Sequence, residues 1–476
     1  MKRRTLLTLI AASPAFTTLR LRAGNDMPAL VQLIEQTPRD QLMAKVVALI
    51  RKGLGRGDLL WAIQLAGMRQ IQPRPVGFKF HAVMMVDAAR RLGEGASGLD
   101  GWVPILWNLD YFKFSQQRNL NQGGWQLAEF DGVMMSADQS LSQFELDLKT
   151  RDEQLVDAAA MAVTSQHGLN AVFEVLAHYA VRDFHSIGHK AIYLCHAWRM
   201  LQLAGGQQAD WALRALAYAL IADGDVAPQD KHWTRVDYSE NLVRAKRIPV
   251  IAMREESDPL LSEQLVVQLR EKSAEQCCEY AMEMLQKGSS QALWDGVFLA
   301  AAERVLQQPT IPMLHCVTVT HAMAWLWRHC ADMENRRLLM LQAVTYLARM
   351  RSQRWAGRPT ALTLASLQTD SHQRTADERL GLIAEAMDSD AEQRVAQFMA
   401  YPYEQAWPEL QLQLLSWLRR KSNQAHDFKY GASVLETLHW LSPAQRPRYL
   451  AAASSLLPGP SRKDSGEAAQ VQQWLG

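Results

Sequence analysis

Four histidines stand out by setting rather than by number. His81, His189, His315 and His426 each lead a stretch of helical periodicity: AVMMVDAARRL, KAIYLCHAWRML, CVTVTHAMAWLW and DFKYGASVLETLHWL. A histidine near a helix N-terminus sits at the positive end of the helix dipole, which disfavours imidazolium. The neutral ring is the form that binds a metal, and helical bundles build metal sites from one or two ligands on each of several helices. A single such histidine is more often a cap or a core residue; four in one local setting point to a shared site. If they share one ion, their nitrogens should close to within about 3–4 Å of one another, as ~2 Å metal–nitrogen bonds require.

The chain is densest in histidine around His189. His178, His185, His189 and His196 follow one another at intervals of 7, 4 and 7, which on one continuous helix is a single face. An i,i+4 pair such as His185 and His189 can chelate one ion, or one ring can orient the other. Asp183 is an alternative N-cap for a helix starting near His185, which would detach His178. In either case His178 and His196 read as packing or orienting groups. His426 and Lys429 lie three apart, on one helical face. Spacing alone makes Lys429 a surface residue pairing with Asp427 or Glu436. Glu303, on the segment before His315, is either a carboxylate behind the ligands or an ordinary surface glutamate, and Asp295 is equally open. His321 lies off the His315 face and is left out of the ligand set. The chain carries no Walker loop, GxGxxG, HExxH or GxSxG motif.

Elements able to position such a cluster are helices. From residue 28 onward apolar residues recur every three or four positions and strand-like alternation is scarce. Asp26-Met27-Pro28 opens the first helix. Gly/Pro clusters such as Gln72–Gly77, Gly93–Gly101, Gly123-Gly124, Gly205-Gly206 and Gln308–Pro312 punctuate the pattern. The aromatic-rich segment Trp102–Phe130 reads as the least helical part, a lid or pocket wall. Phe173 and Phe298 each open a helix that ends shortly before a histidine-led one, as in helical hairpins used more than once. The expected fold is therefore all-α, a large single-domain bundle built from helical hairpins over 26–458, with a metal site in its core. Residues 459–476 read as a flexible tail. Residues 1–25 read as a signal, and Arg3-Arg4-x-Leu6-Leu7 resembles a twin-arginine signal, which implies a periplasmic or exported protein; the alternative is a basic cytoplasmic N-terminus. The 476 residues carry a net charge of +2, which gives nucleic acid or an anionic membrane no bulk field to respond to. No apolar run reaches a membrane span. Five cysteines without a CxxC pair argue against a disulfide framework or zinc ribbon.

Four short segments also resemble the questin-oxidase-like family. They are Phe80-His81-Ala82, His185-Ser-Ile-Gly-His189, Leu314-His315-Cys316-Val317-Thr318 and Ala425-His426-Asp427-Phe428-Lys429, in the family's order. The family includes fungal enzymes that oxidatively open anthraquinone-type rings, some resembling cofactor-independent Baeyer–Villiger oxidases. The resemblance implies a non-haem Fe(II) held by His81, His189, His315, His426 and a carboxylated Lys429, with His185 competing for the position of His189. Zinc and copper also accept imidazole. The implied activity is an oxidoreductase, an oxygenase that inserts oxygen from O2 into an aromatic or quinone-type molecule with ring C–C cleavage. A binding or scaffold protein with a structural or lost metal site, and a metal-free Baeyer–Villiger-type oxidase, are the alternatives.

Overall fold

The computed structural model describes residues 26–96, 98–129, 141–150, 152–221, 237–249, 256–287, 289–353 and 359–476. The expected signal, residues 1–25, lies outside them. Among the described residues the regular structure is entirely helical, taking in 77% of them, with no strand. None of these helices is long and apolar enough to cross a membrane. All five cysteines are free and buried.

Helix starts follow local chemistry. Asp26 caps the first helix by accepting from the Ala29 amide at 3.2 Å, with Pro28 in the first turn. Ser289 caps Ser290–Gln307 in the same way through Ala292. Two helices form the centre. His189–Leu203 is buried continuously from His189 to Leu201, and Ile311–His329 from Met313 to Trp327. Helices apolar on every face belong in the middle of a large fold. Around Ile311–His329 pack His189–Leu203, Ser290–Gln307, Met333–Ser352 and Ala425–Trp440. The short turn His81–Met84 rests on His189–Leu203, and its continuation Val86–Gly93 rests on Ala425–Trp440. The four histidine-led segments are thus mutual neighbours.

The structure revises three expectations. Over its described residues, which leave out Phe130, the Trp102–Phe130 segment is not the least helical part: Val103–Leu120 is an 18-residue helix with Pro104 in its first turn. Aromatic residues lower helix propensity only slightly, and Trp107, Tyr111 and Phe114 fall on one face. The tail folds, with helix Gly466–Leu475 capped by Ser465, burying Ala468 and Val471. Asp464 ties it to Arg420 and to Lys421, the latter at 2.8 Å. Phe173 and Phe298 do not open helices. Phe173 follows a kink at Gly168 within Glu153–Ala180, and Phe298 sits mid-helix in Ser290–Gln307. The Ser290–Gln307 and Ile311–His329 helices do form a hairpin across Gln308–Thr310.

Candidate metal centre

The histidines enter the site from helix N-termini. His81 and His189 are the first residues of their helices, His426 the second, and His315 sits one turn into Ile311–His329. The turn before His189 is unusual. Ser186, Ile187 and Gly188 all have positive φ, at 51°, 57° and 84°. This left-handed turn aims the Ser186 carbonyl at the His189 ring, whose Nδ1–H donates to it in a short hydrogen bond. Gly188 is required twice over. Its φ suits glycine, and a Cβ there would stand 2.9 Å from Val319 on the neighbouring helix. Gly77 likewise lets the backbone approach the ring, since its Cβ would lie 3.3 Å from His189 Nδ1.

Hydrogen bonds fix two tautomers. His315 Nδ1–H donates to the Ile311 carbonyl at 2.7 Å. With both Nδ1 atoms committed to carbonyls, His189 and His315 present lone pairs on Nε2, and these two Nε2 atoms face each other at 3.1 Å. Two acceptors at that separation in a buried site need a cation or a proton between them. Protonation is opposed by the surroundings: burial, then neighbouring His315 and Lys429, hold His189 well below the usual histidine range, and burial with the charge of Lys429 pushes His315 down to about 3. Two ligands at right angles on one ion with ~2.1 Å bonds sit about 3.0 Å apart. That spacing fits a metal.

His81 and His426 complete the group. His81 packs against His189 and His426, with ring centroids 4.8 and 4.4 Å away, and His426 lies 5.3 Å from His315. One nitrogen each from His81, His189 and His426 falls within 4.8 Å of the others, a more open set than the 3–4 Å expected of a shared site, and His315 joins through His189. His426 Nε2 is buried and has no hydrogen-bond partner among the described residues. Burial and Lys429 push His426 down to about 2.

Lys429 is 1% exposed, against the plainer expectation of a surface lysine. Neither expected carboxylate reaches it: Asp427 pairs with Arg462, and Glu436 with Arg91, Arg199 and His321. Among the described residues its one hydrogen-bond partner is His81 Nδ1, at 3.0 Å. Burial lowers its pKa from 10.5 to about 7, so the neutral amine is within reach near neutral pH.

The remaining expected residues lie elsewhere. The His185 backbone N–H donates to Asp183, which also binds Lys190 at 2.9 Å. The left-handed turn between His185 and His189 breaks the continuous face that the i,i+4 reading requires, and His185 is not in the close nitrogen group. The Glu303 carboxylate pairs with Arg270 at 2.8 Å and accepts from the Leu364 amide at 2.8 Å, bracing other helices. Asp295 binds the Ser442 amide at 3.1 Å. His178 bridges Asn335 and Tyr238, while His196 Nδ1 holds the Met84 carbonyl at 2.5 Å and so steadies the His81 turn.

A cavity of about 320 Å³ opens onto His81 and His426. Trp107, Tyr111 and Phe114 form its wall, each stacked on the next at 4.9 and 6.0 Å, and Arg39, Asp110, Asn423 and Gln424 contribute its polar lining. Arg39 pairs with Asp110 at 2.6 Å.

Residues missed from sequence lie beneath the ligands. Asp87, fully buried, meets Arg90, Arg91 and Arg199 at 2.8, 2.9 and 3.2 Å. Glu436 meets Arg91 and His321 at 2.9 and 2.8 Å and grips Arg199 with both oxygens. The available signal was charge inside otherwise apolar helices. No protein-family model matches this chain, and no curated protein or solved structure matches it either.

Proposed function

We propose that this chain is a metal-dependent oxygenase acting on an aromatic small molecule, with His81, His189, His315, His426 and Lys429 holding one Fe(II). The observation that carries the reading is the pair of opposed Nε2 atoms of His189 and His315, 3.1 Å apart, beside the unpartnered Nε2 of His426. An imidazole-rich set with a neutral or carboxylated Lys429 suits iron, and zinc and copper are the competing ions. Bound there, iron would supply the one-electron chemistry that lets O2 react with a closed-shell ring.

The chain's own residues do the rest. Trp107, Tyr111 and Phe114 offer flat apolar faces along which an aromatic ring can stack. That wall directs the ring toward the His81 and His426 side of the cluster. His189 and His315, 5% and 2% exposed, keep the far side dry. Lys429 places a nitrogen, or the anionic oxygen of its CO2 adduct, next to His81. The proposed outcome is oxygen insertion with ring C–C cleavage, as the resemblance to questin-oxidase-like proteins implies.

The test is metal analysis of protein purified without tags or chelators, followed by O2 uptake with a panel of quinols and polyphenols. One equivalent of iron per chain and iron-dependent uptake are expected, and Lys429→Ala should lower metal content. Absence of stoichiometric metal, with stability unchanged by EDTA, would refute the metal centre. Uptake that persists in metal-free protein would instead favour a cofactor-independent oxidase.

A further inference from the structure

The polar residues beneath the cluster repeat a spacing. Asp87 lies six residues after His81, and His321 six after His315. Arg199 lies ten residues after His189, and Glu436 ten after His426. Each ligand-bearing helix, or for His81 the helix Val86–Gly93 that continues its turn, thus sends one polar side chain to a common point. Arg199 bonds Asp87 at 3.2 Å and grips Glu436, and His321 Nε2–H donates to Glu436 at 2.8 Å. Arg91 adds a second bridge between the Asp87 and Glu436 helices through Asp87, Glu436 and the Ala432 carbonyl. Charge balances within the group: Asp87, Glu94 and Glu436 against Arg90, Arg91 and Arg199.

We infer that Arg199 and Glu436 are positioning residues of the metal centre, locking the four ligand-bearing helices in register so that their histidines meet one ion. This rests on the metal-centre reading above. Burying this many charges is not needed for stability, because apolar replacements of similar volume commonly stabilise a fold at least as well. Fixing register is the best-attested use of such groups. The geometry fits that use. The hub touches no ligand ring in its hydrogen bonds, yet bonds the same four segments that carry the ligands, one and a half to three turns along each.

The test uses the full chain, stripped of metal, with Co(II) as the probe. Co(II) absorption reports the number and arrangement of its ligands. The variant is Arg199→Met with Glu436→Met, which removes opposite charges together and leaves apolar bulk. It should keep the wild-type helical signal and bind Co(II) at least tenfold more weakly, with a shifted or weakened absorption band; groups that orient metal ligands are typically worth 10–100-fold in affinity. Replacing the Arg214–Asp157 ion pair, which joins other helices, by the same two-Met exchange should leave the Co(II) band unchanged. If the double variant does not fold, Arg199→Lys carries the test. It keeps the charge but cannot span Asp87 and Glu436 as the guanidinium fork does, and it should show the same weakening and band change. Wild-type affinity and spectrum in either folded variant would overturn the inference. A wild-type chain that binds no Co(II) would overturn the metal-centre reading itself and this inference with it.

Discussion

Replacing His315 by Leu separates a metal gap from an ordinary contact between rings, because the two predict opposite signs. In metal-free protein the opposed Nε2 atoms of His189 and His315 are both unpaired acceptors. Each such buried group costs roughly 1–3 kcal/mol. Leu removes one of them and the repulsion between them, and loses the Nδ1 bond to Ile311, worth about 1 kcal/mol. The metal-free variant should therefore match wild type or exceed it by up to about 2 kcal/mol. With metal present at a thousand times its dissociation constant, wild type gains about 4 kcal/mol by mass action. The variant, lacking one ligand, should lose most of that gain. Urea unfolding of both proteins, with chelator and with added Fe(II) under anaerobic conditions, measures all four states. A variant weakened by about 2 kcal/mol or more in the presence of chelator, with an undiminished response to iron, would refute the reasoning. It would mean that the rings share a proton and that the contact is only core packing.

Other consequences can be measured with less apparatus. Gly188→Ala forces a side chain into φ 84° and to within 2.9 Å of Val319, so a loss of roughly 2–4 kcal/mol is expected in denaturant melts, with reduced metal content. Phe114 is 42% exposed on the cavity wall. Phe114→Ala should leave the melting temperature near wild type while raising KM for an aromatic substrate roughly threefold to tenfold with little change in kcat. Acid should undo the hub. Burial alone would raise the Asp87 and Glu436 carboxyls, but Arg199 and its neighbours outweigh burial and hold both well below the usual carboxylate range. Folded values below unfolded ones mean that these groups stabilise the protein above about pH 4–5, and that this contribution fades as pH falls further. Melting temperatures between pH 7 and pH 3 should drop more steeply for wild type than for the Arg199→Met, Glu436→Met protein; equal slopes would count against the assignment.

The sequence made some of this legible, and physical reasons separate those parts from the rest. Helical periodicity and end signals are local, so the all-α architecture could be read from them, as could the helix start at Asp26-Met27-Pro28 and the breaks at Gln72–Gly77 and Gln308–Pro312. The histidine-led segments were visible for the same reason, since a helix start is a local event. The rejection of His321 from the ligand set was also local, because six residues past His315 is a different helical face; the structure turns it to Glu436. What escaped depends on neighbours far along the chain. By spacing alone Lys429 read as a surface residue, and only the family resemblance placed it with the ligands, because nothing nearby in sequence says that its helix face is covered by the His81 segment. Glu303 looked available to the ligands until Arg270 and Leu364 were seen to occupy it. His185 and His189 matched an i,i+4 pair only on a continuous helix, and the left-handed Ser186–Gly188 turn breaks it. That turn carries a weak signal, since only Gly188 is a residue that favours the conformation.

The region around the histidines is energetically odd for a packed core. Four imidazoles and an amine meet in the interior with few polar partners: two carbonyls, one another, and no carboxylate on Lys429. One helical turn and more below, six charged side chains, Asp87 and Arg199 buried and the other four largely so, form a connected set of ion pairs. The contrast is informative. In the lower group every charge meets an opposite one, with Arg91 Nη2, Glu94 Oε2 and His321 Nδ1 left over among the described residues, and paired charges in the interior hold geometry. The upper group is left short of partners on the side that faces an aromatic-walled cavity. A core that needed only packing would have filled both levels with Leu and Val at lower cost. A charge-paired layer beneath a neutral, nitrogen-rich one that is short of partners is the arrangement expected when the upper layer receives its partner from outside the chain.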